Sequence, residues 1–301
     1  MHDALDLNDE VAAALADGRP VVALESTLIA HGLPHPRNLQ TASQVASLVR
    51  AGGAVPATVG IIGGRIKVGL DRDEIERLVA GAAKVSRADM APVLARRGLG
   101  ATTVAATMVC AALAGIRVLV TGGIGGVHRG GEASLDVSAD LGELARRQVA
   151  VVCAGAKSIL DLGRTLEVLE TEGVPVIGYR TDTFPSFHVR DSGLELAARV
   201  DTPGEAASVM EAQWRLGLGG LVFAAPVPEE AALDAAEVER LVAHAEADAA
   251  MHGVAGRALT PYLLGRLAEL SGDRTVAANI SLIENNASIG AAIAAAYVAG
   301  N

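Results

Sequence analysis

Residues 116–161, IRVLVTGGIGGVHRGGEASLDVSADLGELARRQVAVVCAGAKSILD, decide the fold. The segment opens with an apolar, β-branched run, Val118 to Val120, that breaks into glycines. It closes with a second such run, Val149 to Cys153, that breaks into Ala154-Gly155-Ala156-Lys157. Two strands therefore end in small-residue loops. Between them the pattern predicts a helix from about Ser138 to Arg147, long enough for the crossover that parallel strands require. In open α/β sheets ligands bind beyond the carboxyl ends of the strands, so both loops are candidate site positions on architecture alone.

Lys157 follows a buried-strand pattern and precedes Ser158-Ile159-Leu160-Asp161, which reads as a capping-box-like start to a helix running toward Glu170. Desolvation and the positive end of that helix would both disfavour the ammonium, and an uncharged amine is a nucleophile toward carbonyls. The plainer alternative is a lysine whose stem packs while its head reaches solvent. Gly122-Gly123-Ile124-Gly125-Gly126-Val127-His128 does not make a dinucleotide fingerprint: in the G-x-G-x-x-G register from Gly123 the last glycine position is His128, and no helix opens behind it. Asp136 can ligate a cation or serve as a helix-start carboxylate, and spacing alone favours the second.

Upstream, Asn8 is expected to cap a short helix ending near Gly18. Val21 to Leu24 form another buried-strand pattern running straight into Glu25-Ser26-Thr27. A carboxylate there is costly to bury unless it is paired or protonated, and a raised pKa suits a general acid; a salt-bridged or capping carboxylate is the alternative. Leu33 to Asn38 read as a rigid loop before a helix from about Leu39. Ala57 to Leu70 suggest two strands around Gly63-Gly64. Ala83-Lys84-Val85-Ser86-Arg87-Ala88-Asp89 gathers cations and a hydroxyl, which suits a phosphate or simply a solvated charged turn. Gly98 to Thr103, before a helix from about Val104 to Ala114, can cradle an anion or provide an N-cap at Thr102.

The 301 residues, 50% hydrophobic with 34 glycines, can bury the core of one α/β domain spanning 1–301 or of two closely joined halves. A net charge of -10 without a basic run argues against nucleic acid, and 2% aromatics leave few platforms for stacked bases. Cys110 and Cys153 sit in apolar runs and read as buried thiols of a reducing, cytoplasmic compartment. The amino terminus carries no export pattern, and no membrane partner is expected. Thr260-Pro261 gives N-cap and N1 signals for a late helix, and a final alanine-rich helix ends near Gly300. Asn285 and Asn286, beside apolar residues, read as site amides or as satisfied core polar groups, and the second reading is favoured.

ALESTLIAHGLPHPRN, KVSRADM, GATTVAATM, VTGGIGGVHRG, DVSADL, CAGAKSILD, VIGYRTDTFPSF and TPYLLGRLAELSGDRTVAANISLIENNA occur in that order between about Ala23 and Ala287. Together they resemble the pseudouridine-5'-phosphate glycosidases, the family that also includes indigoidine synthase A-like proteins. The resemblance implies a three-layer α/β/α fold with a large mixed, mostly parallel sheet, assembled as a homotrimer. It implies Lys157 as the nucleophile toward C1' of the ribose, Glu25 as proton donor, and Asp136 as the ligand of one manganese ion with waters. Lys84, Val104, Ser138, Ala139 and Asp140 are implied to contact the substrate, with Thr121 and His128 nearby and Asn279 addressing the base. The implied reaction is reversible cleavage of the C–C glycosidic bond of pseudouridine 5'-phosphate to uracil and ribose 5-phosphate. Two other readings are an aldolase-like Schiff-base lyase on another sugar phosphate, sharing Lys157, and a non-catalytic binding homologue. The latter is prompted by Ala225-Pro226-Val227-Pro228, where the family usually has Asn before Pro-x-Pro.

Overall fold

The computed structural model describes residues 4–300, with the side chains of 132 and 133 left aside. At its centre the strands Val118–Val120 and Ala150–Cys153 pair in parallel, Val118 opposite Ala150 and Val120 opposite Val152. The crossover between them includes the helix Ala139–Arg146, which Ser138 caps by accepting from the Asp140 N–H. On the other side of Val118–Val120 lies Val21–Leu24, also parallel. These strands are apolar throughout because both faces are covered. Ala23, Leu119, Val151 and Cys153 share a core with the helices around Val11, Met108, Leu144 and Val242. Val22, Val120 and Val152 share a second core with those around Val49, Met210 and Ile283. The period-two alternation therefore divides one sheet between two helical layers.

The parallel stretch runs Val55–Ile62, Val21–Leu24, Val118–Val120, Ala150–Cys153, Leu221–Ala224, Val176–Tyr179, Ala198–Val200. Arg65–Val68 and Leu99–Thr102 pair antiparallel to Val55–Ile62, which makes the sheet mixed. From Val21–Leu24 the chain first adds Val55–Ile62 on one side and later returns to add Val118–Val120 on the other. The strand order thus reverses at the junction of Val21–Leu24 and Val118–Val120, and a crevice opens at the carboxyl ends of such neighbours. No helix of the described residues is long and apolar enough to cross a membrane.

Several local expectations are corrected. Helix onset after Lys157 comes at Leu162, capped by Asp161, because Leu160–Asp161 first pairs with Val127–His128. Lys157 is therefore not at a helix terminus. The helix expected from Leu39 begins at Arg37. Gly98–Thr103 is no anion-cradling loop: Leu99–Thr102 is a strand, the Thr102 hydroxyl donates to the Val59 carbonyl, and Thr103 caps the next helix. Thr260 lies inside the helix Leu259–Ser271 and does not cap it. Asp136 precedes Ser138, which takes the cap that spacing assigned to the aspartate.

Candidate active site

Three neighbouring parallel strands end at the same edge of the sheet, and each delivers one polar group. Glu25 follows Leu24 and is buried; the Thr121 hydroxyl, just past Val120, donates to its Oε1. Burial pushes the Glu25 pKa up, while the charge of Lys157 and the Thr121 hydrogen bond oppose that shift. Lys157, four residues beyond Cys153, is half-buried and its Nζ donates to the Gly123 carbonyl at 3.0 Å. Burial, and then the charge of Lys157, lower the pKa of Lys84. The chain has only three lysines, and two of them converge here; the third, Lys67, is paired with Asp6 and Glu74.

These groups face a cleft of about 790 Å3. Every residue to which the family resemblance gave a site role lines it: Glu25 and Lys157; Lys84, Val104, Thr121 and His128; Asp136, Ser138, Ala139, Asp140 and Asn279. Of the phosphate-suited segment, Lys84 and Ser86 line the cleft, whereas Arg87 turns away to the buried Glu143 at 2.9 Å. The Asp140 carboxylate is engaged on both sides, accepting the Ala105 N–H at the start of one helix and the Gly125 N–H of the glycine loop, each at 2.8 Å. Gly125 is required at that point, since a Cβ there would lie 2.3 Å from Ser138 Oγ. Gly155 is required for a different reason: its φ is +78° and a Cβ would meet the Pro185 carbonyl at 2.0 Å.

Asp136 lines the cleft half-buried, and its charge opposes the burial that lowers the His128 pKa. Among the described residues no group of three His, Cys, Asp or Glu could hold a metal. One carboxylate beside hydroxyls fits a hard, largely hydrated divalent ion and not a closed nitrogen–sulfur site. Asn279 is buried and its Oδ1 has no hydrogen-bond partner among the described residues, leaving an acceptor for a ligand N–H at the cleft wall. Ala225 is buried in the second core and donates its N–H to the Cys153 carbonyl; it does not line the cleft.

Other contributors escaped the sequence reading. Arg257, paired with Asp89 at 3.1 Å, and Thr260, whose hydroxyl lies 3.5 Å from His128 Nε2, both line the cleft. Phe187 packs its ring against Gly122 and Gly123 and forms an apolar wall. Asn286, fully buried, donates to the Thr121 carbonyl at 2.9 Å, although its own Oδ1 is unpartnered, so it is only half the satisfied core amide expected. Ser158, beside Lys157, shares a 3.0 Å hydrogen bond with buried His188. None of these placements carries a local sequence signal, since each depends on a fold contact over many residues.

Residues 10–296 match the family model for indigoidine synthase A like proteins. The chain belongs to that family. Within it, a pseudouridine-5'-phosphate glycosidase of Rhodospirillum centenum is 62% identical over 99% of this chain and 93% of its own. One of Caldanaerobacter subterraneus is 54% identical over 98% of this chain and 97% of its own. Among solved members and neighbours, an indigoidine synthase A-like protein of Thermotoga maritima superposes with a TM-score of 0.89 at 35% identity, covering 98% of this chain and 97% of that one. A prealnumycin C-glycosynthase in complex with ribulose 5-phosphate superposes with a TM-score of 0.92 at 45% identity, covering 100% and 99%.

Proposed function

We propose that the chain cleaves the C–C glycosidic bond of pseudouridine 5'-phosphate, reversibly, to uracil and ribose 5-phosphate. The observation that carries this reading is the convergence of Lys157 with buried Glu25, whose pKa burial raises, in one cleft at the strand-order reversal. A C–C glycoside offers no leaving oxygen for the usual two-carboxylate scheme to protonate, so another electron sink is needed. Glu25 gives its proton to the ring oxygen as the Lys157 amine bonds to C1' and the C1'–O bond breaks. The adduct then loses a proton from nitrogen, with Glu25 as the acceptor. Next, C5 of uracil takes that proton from Glu25, the C1'–C5 electron pair returns to the pyrimidine, and the Lys157 lone pair closes an iminium at C1'. Water adds to that iminium, releasing ribose 5-phosphate, the free amine and a proton that returns to Glu25, so one water is consumed overall.

Lys84 and Ser86 are the natural partners of the phosphate, with Val104 lining the cleft beside them. Ser138, Ala139, Asp140, Thr121 and His128 line the sugar side, and the unpartnered Asn279 amide oxygen faces a uracil N–H. A manganese ion held by Asp136 with waters would supply hard-oxygen organisation of the sugar hydroxyls. The whole chain acts as one catalytic unit, assembled as a homotrimer in the cytoplasm. Release of uracil from pseudouridine 5'-phosphate tests the reading: turnover that needs both Glu25 and Lys157 supports it. Turnover only of another sugar phosphate would favour an aldolase-like lyase, and none of either would favour a binding protein.

A further inference from the structure

Arg257 reaches the cleft from the short turn Gly256–Ala258, just before the helix Leu259–Ser271, and it is the only arginine among the described residues that lines it. Its Nη2 donates to Asp89 Oδ1 at 3.1 Å, across 168 residues of chain. We propose that Arg257 is a specificity arm for a phosphomonoester: it leaves Asp89 when the substrate enters and binds the phosphate together with Lys84 and Ser86. The inference rests on the phosphorylated substrate proposed above and names the residue that selects for its phosphate.

Lys84, Ser86 and Asp89 belong to one stretch of chain. The strand Ala83–Val85 delivers Lys84, Ser86 opens the helix Arg87–Ala95, and Asp89 Oδ2 accepts the Ser86 N–H at 3.1 Å. The second carboxylate oxygen of Asp89 holds Arg257, so the guanidinium is tied to the segment that carries Lys84. The two cations feel each other: burial lowers the Lys84 pKa most, the charge of Lys157 comes next, and the charge of Arg257 acts in the same direction. Lys157 is committed to the sugar carbon, which leaves Lys84 and Arg257 as the permanent cations available to a dianion in this cleft.

The Arg257–Asp89 pair opens easily. The Arg257 side chain is 81% exposed, and an ion pair in that setting contributes little to stability. When Arg257 leaves, Asp89 keeps the Ser86 N–H, so no carboxylate is stranded without a partner. A phosphomonoester carries about -1.5 to -2 charges at neutral pH and three acceptor oxygens, against the single charge of Asp89. A guanidinium meets such a group through two parallel N–H donors, a fork that the Lys84 ammonium cannot supply. Exchange of the carboxylate for the phosphate is therefore downhill, and it discriminates against a sugar that lacks the phosphate.

The experiment compares Arg257→Gln, Arg257→Lys and Asp89→Asn with the parent in the full chain. Two readouts apply: calorimetric titration with ribose 5-phosphate and with inorganic phosphate, and kcat/KM for pseudouridine 5'-phosphate against unphosphorylated pseudouridine. Arg257→Gln is expected to weaken ribose 5-phosphate about 10–100-fold and to lower kcat/KM for the phosphorylated substrate by the same factor, leaving pseudouridine unaffected. Arg257→Lys, which keeps the charge without the fork, is expected to fall between parent and Arg257→Gln. Asp89→Asn keeps an acceptor for the Ser86 N–H but frees the guanidinium, so it is expected to tighten both phosphate ligands. A merely structural brace predicts the opposite sign for that variant. Weakened titrations in Asp89→Asn, an unchanged affinity for ribose 5-phosphate in Arg257→Gln, or equal losses with and without the substrate phosphate overturn the inference. The titrations need no turnover, so phosphate binding that depends on Arg257 without any uracil release would contradict the assigned reaction alone.

Discussion

The Thr121 hydroxyl donates to the Glu25 carboxyl across a sequence separation of 96 residues. The bond exists because Val21–Leu24 and Val118–Val120 are parallel neighbours that end level with each other, so the first residue past each strand meets the other. It is a buried hydrogen bond that favours the ionised form of the acid. Replacing Thr121 with Val is expected to raise the pKa of Glu25 and move the alkaline limb of kcat/KM upward. The rate is expected to fall about tenfold, the equivalent of one hydrogen bond to a charged group. The pH dependence of uracil release measures both.

Glu25→Gln removes the proposed proton donor while keeping size. A loss of about 10²–10⁴ in kcat is expected, with the fold intact by circular dichroism. The same variant reports on stability. Burial raises the pKa of Glu25, so its contribution is fully present below the ordinary carboxylate range and is lost as pH rises through the folded value. Melting temperature against pH is therefore expected to fall less steeply on the alkaline side in Glu25→Gln than in the parent.

His188 makes the opposite case. Burial pushes its pKa from 6.5 down to about 4, and its neutral ring is held by Ser158. The stability that depends on this neutral state is complete above the unfolded value of 6.5 and is lost as pH falls toward 4. The loss amounts to as much as about 3 kcal/mol. Urea unfolding at pH 7 and pH 4.5 measures the difference, which His188→Gln is expected to reduce.

Much of this was legible in the strands. Val21–Leu24, Val118–Val120 and Ala150–Cys153 announce themselves as apolar β-branched runs because both faces are buried, and the residues just beyond them, Glu25, Thr121 and Lys157, are then site candidates by position. Local starts and stops were less legible. Ser158-Ile159-Leu160-Asp161 has the composition of a helix start, but pairing of Leu160–Asp161 with Val127–His128 delays the helix to Leu162. Arg87 looked like a phosphate ligand beside Lys84, yet it is drawn to Glu143, a buried carboxylate that sequence proximity could not reveal. His188 was silent, and Asn286 was visible only as a polar residue in an apolar run, because their roles are contacts to Ser158 and Thr121, far away in the chain.

Asp136 is the carboxylate offered for a divalent ion. Treatment with a chelator is expected to abolish turnover and manganese to restore it, while manganese raises the melting temperature of the chelated protein through its binding energy. Asp136→Ala is expected to lose the manganese-dependent rise in melting temperature. A rise that persists in the variant, read by differential scanning calorimetry, would place the ion elsewhere.

Borohydride reduction in the presence of ribose 5-phosphate tests the central claim most directly. With three lysines in the chain and two at the cleft, a reduced imine has few places to form. The account predicts a stable mass increase on the peptide containing Lys157, absent in Lys157→Ala. An adduct on the Lys84 peptide instead, or no adduct while uracil is still released from pseudouridine 5'-phosphate, would contradict it.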